Sequence, residues 1–200
     1  MAINSYATLQ TSVANFLHRA DLTSIIPDLI TLAEKRINRE VRTADMETAH
    51  NAAISSGVLA VPSDFLAWKS VYVDASPVRI LRVKPLDWLW EKYPTRSSDA
   101  EPRFIARNGS NFEFGPYPDT GYTIKGTYYK RLTSVSTSWN ALATANPDLY
   151  LMATLCEATP YIKNDSRIII WESKYTSIKE AINLEAKGAD ISGGGLRMST

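Results

Sequence analysis

The sequence predicts an α+β protein that is mainly a helical four-helix bundle, made from N- and C-terminal helix pairs, with an inserted antiparallel β-rich segment and a flexible C-terminal tail. Three observations carry this expectation. Apolar residues recur at spacings of three and four near both ends, the middle breaks into short runs between turn residues, and the last stretch is glycine-rich with isolated apolar residues. The bundle is expected over 1–48 and 140–187, the insert with one short helix over 49–139, and the tail over 188–200.

Each element has its own signal. Tyr6, Leu9, Val13, Phe16 and Leu17 share one helical face, with Asn4 or Ser5 as the cap. Ile26, Leu29, Ala33, Ile37 and Val41 repeat the pattern, with Pro27 tolerated in the first turn and Glu34, Lys35, Asn38 and Arg39 on the other side. From His50 to Arg131 the apolar pieces are short and separated by Ser55-Ser56-Gly57, Ala75-Ser76-Pro77, Asn108-Gly109 and Pro118-Asp119-Thr120-Gly121. Phe104 to Phe114 is the clearest hairpin, because Asn108-Gly109 supplies the positive-φ turn. Pro85 to Trp90 reads as one or two helical turns. Asn146-Pro147-Asp148 is a start signal, after which Leu149, Met152, Leu155 and Cys156 form a stripe closed by Pro160. In the last helix, opened by Asp165 or Ser166, Ile168, Trp171, Tyr175, Ile178 and Ile182 fall on one face. An isolated helical hairpin would half cover each stripe, so the two pairs are expected to pack together.

Composition excludes several functional classes. Lys and Arg total 22 against 21 Asp and Glu, a net charge of +1, which gives no general nucleic-acid surface. Cys156 is the single cysteine, so neither an intramolecular disulfide nor a thiolate zinc site can form. The first ten residues lack the basic and apolar regions of a secretory signal, and no apolar run approaches the ~20 residues of a bilayer-spanning helix. The chain therefore reads as a soluble cytosolic product. His18 and His50 lie in different elements, and Cys156 sits on an apolar stripe where the thiolate is disfavoured. There is no Gly-x-Ser-x-Gly elbow and no phosphate-binding loop, and Gly193-Gly194-Gly195 follows a helix rather than preceding one. Asp45 with Glu47, and Asp87 with Glu91, read as caps and solvated faces. No catalytic, cofactor-binding or metal-ligating residue is assigned, and a non-enzyme without cofactor is expected. A small hydrolase would instead require His18, Asp21 and Cys156 to converge.

Interaction surfaces are the better reading. Five tryptophans and ten tyrosines exceed what a domain of this size buries fully, and aromatics are enriched at protein interfaces. Trp68 and Trp90 are read equally as core or as a subunit or tail interface, and Tyr117 as a loop contact or a local pack. Arg36, Arg39 and Arg42, interleaved with Glu34 and Glu40, read as interchain or solvent salt bridges rather than a phosphate stripe. Arg79, Arg82 and Lys84 would line a channel if copies formed a ring. The tail, with Gly188, Ile191, Gly194, Leu196, Arg197 and Met198, is either fraying chain or a docking segment.

Seven short stretches carry a resemblance. They are Tyr6-Ala7-Thr8-Leu9 through Phe16-Leu17-His18-Arg19-Ala20-Asp21-Leu22 to Ile26-Pro27-Asp28-Leu29, then Val61-Pro62-Ser63-Asp64-Phe65-Leu66, Phe114-Gly115-Pro116 and Tyr128-Tyr129, then Pro147-Asp148-Leu149-Tyr150-Leu151-Met152. In order and spacing, over residues 3 to 185, the sequence resembles tailed-bacteriophage head-to-tail adaptor (connector) proteins of the podovirus type, some of which are called tail tubular or structural proteins. The resemblance implies a non-enzymatic subunit of a ring, commonly of twelve copies, that binds the portal protein. Such a ring extends or seals the DNA channel and offers a platform for a tail nozzle or tail hub protein. Double-stranded DNA would pass without sequence-specific recognition, and no membrane is involved. It places the chain in the virion at the head-tail junction, and in host cytoplasm during assembly. It makes Gly188 to Thr200 the portal-docking tail. The other virion readings are a head-completion or tail-tube protein.

Overall fold

The computed structural model describes residues 2–97, 99–162 and 166–191. Two compact units emerge, the first from residues up to Asp45 and from Leu132 onward, the second from Met46–Arg131.

The first unit is helical. Helix α1 (Tyr6–Leu17) starts at a reciprocal capping box between Ser5 and Thr8 and stops at His18, which adopts left-handed backbone with φ 52°. Helix α2 (Ile26–Glu40) has Pro27 in its first turn and buries Ile26, Leu29, Ile30, Ala33 and Ile37. The second unit intervenes and carries helix α3 (Leu86–Lys92). Back in the first unit, α4 (Ala141–Ala145) is capped by the Asn140 side chain, α5 spans Pro147–Glu157, and α6 spans Arg167–Ile191.

Helix α5 is the hub. Every residue from Leu149 to Cys156 is buried, since α1, α2, α4 and α6 all pack against it. A helix apolar on all sides belongs in an interior, and Thr154, buried within it, donates to the Tyr150 carbonyl at 2.7 Å. The chain returning from the second unit is pinned to α2, where Asn38 Oδ1 accepts from Leu132 N–H at 2.9 Å and Glu34 accepts from Ser134 Oγ at 2.8 Å and from Val135 N–H.

The second unit contains two four-stranded sheets. Its strands are β1 (Glu47–Ala53), β2 (Val58–Ala60), β3 (Phe65–Val73), β4 (Arg79–Ile80), β5 (Arg82–Val83), β6 (Phe104–Asn108), β7 (Asn111–Gly115) and β8 (Thr123–Lys130). One sheet has the order β1-β8-β3-β4 and the other β2-β7-β6-β5, with every pair antiparallel except β5 and β6. Val71, Val73 and Ile124 from the first sheet and Leu59, Ile105, Phe112 and Phe114 from the second belong to one apolar cluster. The β6-β7 hairpin turns through Gly109 and Ser110, between the paired Asn108 and Asn111, with Gly109 at φ 58°. Gly126 on β8 lies against β3, where a Cβ would come within 2.2 Å of the Ser70 carbonyl oxygen.

These observations correct the expected fold class. The protein is α+β, but it is not a mainly helical four-helix bundle carrying an insert, because the strand-rich unit has its own core and two full sheets. The physical reason is the pairing of β1 with β8, which are far apart in sequence, so that isolated strand signals close into a sheet. The helical unit also departs from two paired hairpins, since α5 is enclosed by its neighbours. Finally, α6 continues through Gly188 to Ile191. Those two residues are helical rather than part of a flexible tail, while Gly194, Leu196, Arg197 and Met198 lie outside the described residues.

Candidate interaction surfaces

Helix α6 is fixed by a network of charges and aromatic rings on α2. Arg36 donates to Glu172 through both terminal nitrogens, one at 3.2 Å, and through Nε to Glu40 at 3.3 Å. Glu157 lies 3.8 Å away, and the guanidinium sits 4.2 Å from the centre of the Tyr175 ring. Glu40 also accepts from Tyr175 Oη at 3.2 Å and Lys179 Nζ at 3.1 Å. One turn further, the Asn183 side chain bridges the α2 terminus by donating to the Glu40 carbonyl and accepting from Arg42 N–H. Glu172 is held below the ordinary carboxylate range by its bond from Arg36. Burial alone would raise Glu40, but the bonds and charges from Lys179, Arg36 and Tyr175 outweigh it and its pKa is lowered.

The three arginines read as one group therefore separate. Arg36 is engaged within the chain, Arg42 donates to the carbonyls of Asn38 and Val41, and Arg39 is exposed. Cys156 lies beside Glu172, and burial, reinforced by that carboxylate, pushes its thiol up to about 12. Native protein should accordingly leave a thiol-reactive dye unmodified at pH 8, with one equivalent reacting on denaturation. Rapid labelling of the folded chain would contradict this burial.

A pocket of about 390 Å³ opens where α6 passes the exit of α2 and the start of α5. Thr43, Asp45, Leu142, Asn146, Ile182 and Glu185 line it, together with Ala186 and Ala189 of α6. Thr43 is only 9% exposed, and its hydroxyl has no hydrogen-bond partner among the described residues. Asp45 and Glu185 are exposed, and Asn146 occupies the N-cap of α5 without a side-chain capping bond. Away from the pocket, α6 exposes Ile169 and Ile170 near its start and Leu184 near its end. Arg167 donates to the Phe16 carbonyl at 3.0 Å, which brings the half-exposed Phe16 beside the α6 start.

In the second unit Trp68 belongs to an aromatic cluster, with ring centres 5.1 Å from Phe65, 5.2 Å from His50 and 5.3 Å from Phe112. Burial lowers the His50 pKa, which keeps that imidazole neutral at pH 7. Beside the cluster is a groove of about 370 Å³ lined by Leu66, Val83, Ile105 and Arg107 among others. Trp90 is 46% exposed, and its indole N–H donates to Glu113 at 3.0 Å. Tyr117 is half-buried, donates to the Ser56 carbonyl at 3.1 Å and stacks under Arg96. The chain thus locks Tyr117 in place and leaves Trp90 with open surface. Val78, Ile80 and Val83, around β4 and β5, are more exposed still.

These sites share no reactive constellation. Among the described residues no group of three or more His, Cys, Asp or Glu could hold a metal ion, and no described helix is long and apolar enough to cross a membrane. The sequence matches the family described as SU10 adaptor protein over residues 4–198.

The chain belongs to the SU10 adaptor protein family.

The match spans both units of the adaptor and agrees with the resemblance to phage head-to-tail adaptors. A comparison with curated proteins returned no match. Membership makes this adaptor a structural component of a phage. The sequence reading missed the pocket at Thr43 and the exposed apolar residues of α6. Ile169-Ile170, two isoleucines adjacent in a helix whose buried face was already filled by Ile168 and Trp171, was the available signal for the latter.

Proposed function

We propose that this adaptor assembles into a ring, of twelve copies, beneath the portal protein at the head-tail junction. The ring extends or seals the channel through which double-stranded DNA passes, and it gives a tail nozzle or hub protein its platform. The family match over nearly the whole chain carries this reading. Two features of the adaptor support it. The helical unit exposes Phe16, Tyr161, Ile169 and Ile170, and the strand-rich unit exposes Val78, Ile80, Val83 and Trp90, which are the large apolar groups that protein contacts bury. Trp90 and Arg39 are the contact residues proposed for neighbouring subunits or the tail. Trp68, Tyr117, Arg36 and Arg42 act in this reading by holding those surfaces in shape.

The segment beyond Ile191, with Gly194, Leu196, Arg197 and Met198, is proposed as the portal-docking tail, and the α6 turn containing Gly188 and Ile191 as its base. Assembly takes place in host cytoplasm and the product is a virion component. Because Gly188 to Ile191 are helical, a deletion should start at Ser192. Removing Ser192 to Thr200 is expected to abolish co-sedimentation with the portal while the far-ultraviolet circular dichroism spectrum stays unchanged. Undiminished portal binding by the shortened chain would remove the tail from the interface.

A further inference from the structure

We propose that the pocket beside Thr43 is the resting site of the adaptor's own C-terminal segment, so that Leu196, Arg197 and Met198 lie against the end of α6 until a partner draws them out. The pocket is half polar and half apolar in character. Leu142, Ile182, Ala186 and Ala189 supply apolar wall, Thr43 presents a hydroxyl that is nine-tenths buried and unpartnered among the described residues, and the carboxylates of Asp45 and Glu185 stand at the rim. A buried hydroxyl without a partner is destabilising, which favours whatever backbone group satisfies it. Leu196-Arg197-Met198 has the matching order, with two flexible apolar side chains flanking one cation.

Reach identifies the occupant. Ala189 lines the pocket only two residues before Ile191, the last residue of α6. From Ile191 back to Ala186 is five residues of helix, about 7.5 Å. Ser192 to Gly195 can span up to ~13 Å when extended, so Leu196 returns to the level of Ala186 with length to spare. Gly193, Gly194 and Gly195 permit the reversal, because glycine accepts backbone conformations closed to other residues. The carboxylates at the rim complement Arg197 and would repel an acidic segment from elsewhere. Resting occupancy lowers the apparent affinity for the portal by the fraction of segments held in, so this inference rests on the docking role proposed above for its consequence but not for its geometry.

The test is methyl nuclear magnetic resonance of the full chain labelled at the methionine methyl groups. The sequence has four methionines, and Met198→Leu assigns the resonance of interest by its disappearance. In the wild type the Met198 methyl should be displaced from its free-chain position and show cross-relaxation to Ile182, independent of protein concentration. Ala186→Trp, which fills the pocket, and Arg197→Glu, which lies outside the described helix and does not threaten folding, should each return it to the free-chain position. A Met198 methyl already at the free-chain position in the wild type overturns the proposal. Displacement that grows with concentration also overturns it, by making the occupant a second copy. Portal affinity is measured in parallel. If the resting form holds nine-tenths of the molecules, Ala186→Trp should bind about tenfold more tightly. A docked methyl whose release leaves portal affinity unchanged would refute the docking role while leaving the pocket occupant in place.

Discussion

Replacing Gly126 by alanine is expected to be the most damaging single substitution in the strand-rich unit. Gly126 sits on β8 opposite Val71 of β3 and His50 of β1, in the centre of its sheet. A Cβ there would lie 2.2 Å from the Ser70 carbonyl oxygen and 2.9 Å from the Val71 Cα. Both obstacles are backbone, and backbone cannot rotate aside as a side-chain end can. Relief requires β3 to move away from β8, which strains the ladder and opens the cluster around Val71, Val73 and Ile124. Overpacking of this kind destabilises by about 3 kcal/mol, which for a chain of this length lowers the melting temperature by roughly 10 °C. Gly109 is the control, since its positive φ of 58° has nothing within 4 Å of a Cβ. Gly109→Asn, which tolerates that conformation, should destabilise by less than about 1 kcal/mol. Thermal unfolding followed by near-ultraviolet circular dichroism checks both, and equal melting temperatures for the two variants would contradict the close approach at Gly126.

The second large effect is expected at Arg36. Alanine there removes the shared partner of Glu172, Glu40 and Glu157 and the cation over Tyr175. Three carboxylates are then left close together with Lys179 as the cation the structure pairs with Glu40. Breaking a fully buried pair destabilises by 3–5 kcal/mol, but Glu172 is half exposed and water screens part of the loss, so about 2 kcal/mol is expected. Arg36→Lys should recover little of it, because an ammonium cannot reproduce the two-pronged contact with Glu172.

The same network sets an acid dependence. Glu172 and Glu40 have folded pKa values below their unfolded ones. A depressed carboxyl contributes stability above its unfolded value of about 4.3, and that contribution disappears as the pH falls through the folded value. Wild-type stability should therefore drop as the pH falls below about 4.5, and the drop should be smaller in Arg36→Ala. Urea titrations from pH 3 to pH 7 compare the two. Parallel pH profiles would show that Arg36 is not what holds these carboxyls down.

Much of the helical unit was legible because its cause is local. The spacing of Leu9, Val13 and Leu17, and of Ile26, Leu29, Ala33 and Ile37, reports which side of each helix is buried. The hairpin at Asn108-Gly109 was equally open to reading, since the turn chemistry sits in two adjacent residues. Strand β1 was not. Glu47-Thr48-Ala49-His50-Asn51-Ala52-Ala53 has no apolar alternation, and it becomes a strand because β8 is there to pair with it. That single long-range pairing is what turns scattered strand signals into a unit of its own, and it overturns the mainly helical expectation.

Arg36, Arg39 and Arg42 show a second limit of local pattern. A spacing of three suggested a shared face, yet Glu172, the partner that singles out Arg36, lies 136 residues away in sequence. Arg39 meets solvent and Arg42 closes the end of α2. Asn146 occupies the N-cap of α5 without a side-chain bond, and it is Asn140 that caps with its side chain, one short helix earlier, by accepting from Ala143 N–H. The pocket at Thr43 gave no sequence signal because its walls come from three separate stretches of the chain.

Electron microscopy of the adaptor mixed with its portal tests the central claim most directly, that this two-unit subunit closes a ring on the portal through the segment after α6. The result predicted is a closed ring of twelve copies on the portal, with density continuing from the end of α6 into the portal surface. Adaptor bound as scattered single copies, or as a ring joined to the portal with no contribution from residues beyond Ile191, would contradict it.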